Sequence, residues 1–153
     1  MKRFFLLTII LTVVVTGKVG AQEAASASKR ANQQYVLFES ERDKGTNVTA
    51  MYDYLMDSYE NFMKVVEAPD NSQYIGGAKN RLRALYPYLL NGAVYYSEQK
   101  QPSKALDFAA AYIDMPQLKL FRSELLPKDN RYASVVYYAA VACLLYTSDA
   151  ADE

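Results

Sequence analysis

Apolar residues recur along most of the chain at steps of three and four, the spacing that lines one face of a helix. Tyr35, Val36, Leu37 and Phe38 precede the charged run Glu39-Ser40-Glu41-Arg42-Asp43-Lys44 and then Gly45, which predicts a helix closed by a glycine cap. Thr46 and Asn47 are capping types. After them Met51, Tyr52, Leu55, Met56, Tyr59, Phe62, Met63 and Val66 form a broad apolar stripe that stops before Pro69, with Asp53, Asp57, Glu60 and Lys64 falling largely between. The short turn between these two segments predicts an antiparallel helical hairpin.

Asp70-Asn71-Ser72 reads as a linker, and Gly76-Gly77 weakens the start of the next segment. From Ala78, the positions Leu82, Leu85, Leu89, Ala93 and Tyr96 are again helical, with Pro87 either kinking the helix or opening a new one. Lys100-Gln101-Pro102-Ser103 is a turn that sets Pro102 near the first position of a helix carrying Ala105, Leu106, Phe108, Ala109 and Tyr112, closed by Met115-Pro116. Leu118, Leu120, Phe121 and Leu125 predict a short helix or irregular packed segment, Pro127 to Asn130 a turn, and Tyr132 to Ala142 a Tyr-rich helix. Strand-like alternation is missing throughout. The expectation is an all-α chain of successive antiparallel hairpins.

Both ends call for separate treatment. Met1-Lys2-Arg3 followed by the apolar run Phe4 to Val15 has the form of a secretory signal, too short for a comfortable membrane-spanning helix, and Val19-Gly20-Ala21 offers the small residues a signal peptidase requires. Residues 1–21 are therefore expected to be a signal peptide cleaved after Ala21, with no membrane span afterwards. No cysteine follows the run, so a lipid-anchored form is not supported. Residues 22–30, Ala/Ser-rich and polar, read as a flexible leader, with order beginning near Ala31. At the other end, Cys143 to Glu153 can be reverse-translated, in frame, into a sequence that resembles the transposase mosaic-end adapter of sequencing libraries. Residues 143–153 are thus expected to be technical in origin, and 31–142 to be an incomplete part of a longer protein.

Composition narrows the chemistry. Of 153 residues, 51% are hydrophobic, 14 are Tyr, 6 are Phe, none is His, and Lys plus Arg balance Asp plus Glu at 17 each. A zero net charge names no nucleic-acid partner or anionic surface. Without His, the commonest general base and metal ligand are gone; the one Cys lies in the adapter-like tail. Asp53, Asp57 and Glu60 are the only carboxylate cluster worth weighing, and they read as a solvated helix face. Asn47-Val48-Thr49 fits a glycosylation acceptor but is explained as a helix start, and Gly76-Gly77 lacks the Lys-Ser or Lys-Thr of a phosphate loop. No catalytic group, cofactor site or metal site is expected.

The stretch Asn91-Gly92-Ala93-Val94-Tyr95-Tyr96, a polar turn, Ala105-Leu106-Asp107-Phe108-Ala109-Ala110-Ala111-Tyr112 and Pro116 resembles a tetratricopeptide repeat, with Gly92, Tyr95, Ala105, Phe108 and Pro116 at its signature positions. Leu85 and Tyr88 stand where that family favours Trp, one extra residue lies in the turn, and the turn lacks the usual Gly. With the signal peptide and phrases such as Tyr137-Tyr138-Ala139-Ala140-Val141-Ala142, the chain is similar to exported tetratricopeptide-repeat proteins of Bacteroides-type bacteria. The resemblance implies an α-solenoid and a non-enzymatic scaffold that binds a protein or peptide in the periplasm, secreted, or at the outer membrane.

Two other readings stand beside it. Tyr86, Tyr88, Tyr95, Tyr96, Tyr132, Tyr137 and Tyr138 form a candidate binding surface for sugars, as in helical glycan-binding components of outer-membrane uptake systems, although aromatics at helical spacing more often belong to a core. The region is alternatively the N-terminal repeat module of an enzyme whose catalytic domain lies beyond Ala142.

Overall fold

The computed structural model of the chain describes residues 2–122 and 132–149, and side chains over 20–122 and 132–141. Among the described residues the elements are α1 (Lys2–Lys44), α2 (Val48–Glu67), α3 (Ile75–Glu98), α4 (Pro102–Asp114), two 3₁₀ turns (Met115–Gln117 and Lys119–Phe121) and α5 (Tyr132–Asp149), with no strand. The all-α class is the one the periodicity predicts. The chain divides into two compact units, Met1–Arg83 and Ala84–Glu153.

In the first unit α1 and α2 pack as a hairpin. Gly45 ends α1 with φ +65°, its N–H donating to Glu41 O at 2.9 Å; a left-handed residue there lets the chain reverse without a Cβ clash. Asn47 then caps α2, its side-chain oxygen accepting from Ala50 N–H at 3.0 Å. Helix α2 buries Tyr52, Leu55, Tyr59, Phe62 and Val65 and ends at Glu67, with Ala68 as its cap before Pro69.

One part of this unit differs from expectation. Residues 22–30 are helical, and α1 places Ala24, Ala27, Ala31, Tyr35 and Phe38 on one buried face. An Ala/Ser-rich stretch reads as a leader by composition, yet Ala is the best helix former and its small side chain permits close packing. Small residues also bring the backbones together: Ser58, fully buried on α2, donates its hydroxyl to Ala31 O at 3.0 Å. From α3, Arg81 lies over the Tyr35 ring at 4.0 Å, a cation–π contact that ties the helix to α1.

Helix α3 continues through Pro87 unbroken, with Gly76 and Gly77 exposed in its first turn. It ends at Glu98, and two residues on Lys100 takes a left-handed φ of 55° while Gln101 N–H donates to Tyr96 O at 2.9 Å. A lysine there holds a conformation that side chains resist. Lys100→Gly is expected to raise unfolding free energy by up to about 1 kcal/mol in urea titrations, because the strain removed exceeds the added unfolded-chain entropy.

Pro102 opens α4 at its first turn. In the second unit α4 packs on α5, and Ala105, Phe108, Ala109, Ala111, Tyr112, Met115, Phe121 and Val135 are buried. Phe121 arrives on the second 3₁₀ turn, matching the short packed segment expected there. Leu125 and the turn at 127–130 lie outside the described residues. Helix α5 turns Val135 inward and leaves Val136 and Tyr137 exposed, and its backbone runs on past Ala142 to Asp149.

Candidate functional site

The residues that resemble the repeat signature meet in the second unit. A Cβ built on Gly92 would lie 2.3 Å from Phe108 Cδ1 and 2.4 Å from Cε1, so the Phe108 ring rests directly on the α3 backbone. That approach is possible only for glycine. Phe108 also packs on Tyr96, ring centroids 5.4 Å apart, and Ala105 is buried one turn before it. Tyr95 packs edge-on against Tyr96 at 5.1 Å and is half-buried, as is Pro116 after α4. Of the five positions, Gly92 and Phe108 are thus seen to pack α3 against α4.

The tyrosines sort into two groups. Tyr96 is fully buried and Tyr86 is 6% exposed, stacked on Tyr112 with centroids 4.4 Å apart and planes 6° from parallel. Both pack in the core of the second unit, and one face of the Tyr86 ring is covered by Tyr112. Tyr88 is half-buried on α3. Tyr137, 65% exposed, and Tyr138 sit edge-to-face on α5 at 5.9 Å. Adjacent rings in a T-shape do not make one flat stacking surface.

Asp53, Asp57 and Glu60 all lie on the exposed side of α2. Among the described residues no group of His, Cys, Asp or Glu side chains is placed to hold a metal ion, and no helix is long and apolar enough to cross a membrane.

Two concavities are lined by described residues. A shallow groove of about 770 Å³ runs along α1 beside Lys29, Asn32, Gln33, Gln34, Val36 and Leu37, with Val36 60% exposed. Gln34 Oε1 is buried there without a hydrogen-bond partner. In the second unit a recess of about 390 Å³ is lined by Tyr86, Ile113, Pro116, Gln117 and Tyr132. Sequence reasoning did not assemble this recess. The i, i+3, i+4 relation of Ile113, Pro116 and Gln117 is visible in the chain, but the arrival of Tyr86 and Tyr132 beside them is tertiary. Compared with protein-family models, curated proteins and solved structures, the chain matches none.

Proposed function

We propose that the chain is an exported, non-enzymatic scaffold of tetratricopeptide type that binds a protein or peptide in the bacterial cell envelope. The observation that carries this reading is the seating of Phe108 on Gly92, because a small residue on the first helix receiving a bulky one from the second is the packing the repeat pattern encodes. Hairpins of this kind stack and leave surfaces on which partners dock. The export signal fits the fold: cleavage after Ala21 leaves Ala24, Ala27 and Ala31 in the chain, so the seam between α1 and α2 survives processing.

Selection of a phage-displayed peptide library on the immobilised chain tests the role. Enrichment of related peptides that bind in solution at micromolar concentration is expected, as for a single preformed site. No enrichment, together with binding on a glycan array, would replace the peptide scaffold with the sugar-uptake reading.

A further inference from the structure

The recess in the second unit has a composition that selects its occupant. Among the described residues the lining side chains, Tyr86, Ile113, Pro116, Gln117 and Tyr132, are all uncharged, so none of them offers a counter-charge to an ionised group. Ile113 and Pro116 supply aliphatic wall. Tyr86 has one ring face covered by Tyr112, 4.4 Å away, and turns only its remaining surface to the recess. Tyr132, 39% exposed, keeps its ring at the mouth. The Gln117 amide has its Nε2 3.4 Å from Ile113 O, a long contact, and the group carries both a donor and an acceptor to spare.

A monosaccharide fits this lining poorly, because its hydroxyls would face Ile113 and Pro116 with one amide and the tyrosine edges to satisfy them. An apolar side chain attached to a peptide amide fits well. Its hydrocarbon covers the aliphatic wall and the Tyr132 ring, while one carboxamide can pair with both the N–H and the C=O of a peptide unit. The volume of about 390 Å³ lies in the range of sites that hold one such group.

We infer that this recess, formed by α3, α4, the first 3₁₀ turn and α5, is a binding site for an uncharged apolar residue, leucine- or proline-like, of an extended peptide, with Gln117 reading the flanking amide. The inference rests on the scaffold reading and gives it a site and a partner chemistry. Recognition by backbone amide plus one apolar anchor is a recurring mode for extended peptides.

The full chain labelled with 3-fluorotyrosine provides the test, with the Tyr132 and Tyr137 signals assigned through Tyr132→Phe and Tyr137→Phe. The probes are N-acetyl-leucine N-methylamide and N-acetyl-proline N-methylamide, set against N-acetyl-aspartate N-methylamide and methyl β-glucoside. At millimolar concentration the first two are expected to shift the Tyr132 fluorine signal and leave that of Tyr137 in place. Gln117→Ala should weaken that response about three- to tenfold, the worth of a neutral hydrogen bond, with its far-UV circular dichroism unchanged.

No shift with either apolar amide, an equal or larger shift with the glucoside or aspartyl probe, or a response indifferent to Gln117→Ala would overturn the inference. The two readings fail separately. Library-selected peptides that bind without moving the Tyr132 signal would leave the scaffold standing and remove this site; apolar amides that move it while no peptide is selected would do the reverse.

Discussion

Phe108→Ala is expected to lower the unfolding free energy by about 3–5 kcal/mol, the cost of emptying a buried aromatic site. Phe108 is 2% exposed and lies against both Tyr96 and the Gly92 backbone, so its loss opens a cavity that a helix backbone cannot collapse to fill. Gly92→Ala gives the sharper result. In an unconstrained helix interior this change stabilises by about 0.5–1 kcal/mol. Here the added methyl would stand 2.3 Å from the ring, and overpacking of about 1–3 kcal/mol makes the net effect destabilising. In the Phe108→Ala background the ring is gone, and Gly92→Ala should turn neutral or stabilising. Urea titrations followed by circular dichroism on the four members of this cycle read the coupling directly. The same effect of Gly92→Ala in both backgrounds, or a loss under about 1 kcal/mol for Phe108→Ala, would show that the two residues do not touch as described.

This pair also shows what is legible in the chain. Helix positions follow from periodicity, and the boundaries at Gly45, Asn47, Pro69 and Pro102 from residues whose backbone preferences leave few alternatives. Gly92 and Phe108 are singled out by a resemblance, but their contact is tertiary and local propensity does not contain it. Tyr95 and Tyr96 mark the limit of spacing. They are adjacent, chemically identical and about 100° apart around α3, and tertiary packing, with Phe108 and Lys104 on the Tyr96 ring, decides that Tyr96 is sealed while Tyr95 stays half-exposed. The recess depends on the same kind of information, because Tyr86 and Tyr132 are 46 positions apart and meet Ile113, Pro116 and Gln117 only once α3, α4 and α5 are assembled. The leader at 22–30 misled for another reason. Ala and Ser are common in flexible stretches and also in tightly packed helix seams, and only the presence of α2 across from them decides between the two.

That seam carries the second large expected effect. Ala31 is fully buried on α1, and its carbonyl oxygen lies 3.0 Å from the Ser58 hydroxyl on α2. A hydroxyl reaches another helix's backbone only where the two helices come close, and a methyl side chain at 31 is what lets them do so. Ala31→Leu has three more carbons to place in that gap. Overpacking is expected to cost about 1–3 kcal/mol, and pushing α2 away breaks the Ser58 bond, worth about 1 kcal/mol more. Ser58→Ala alone, which keeps the spacing and leaves the Ala31 carbonyl in its helix, should cost only about 1 kcal/mol. In the Ala31→Leu background Ser58→Ala should cost almost nothing, because the bond is already lost. Arg30→Leu, one position away on the exposed side, places the same side chain in solvent and should fall within about 0.5 kcal/mol of the parent. Unfolding titrations that rank Ala31→Leu far above Arg30→Leu establish residues 22–31 as part of the folded hairpin. Equal effects would mean that α1 does not pack on α2 at this point and that the chain's order begins further along.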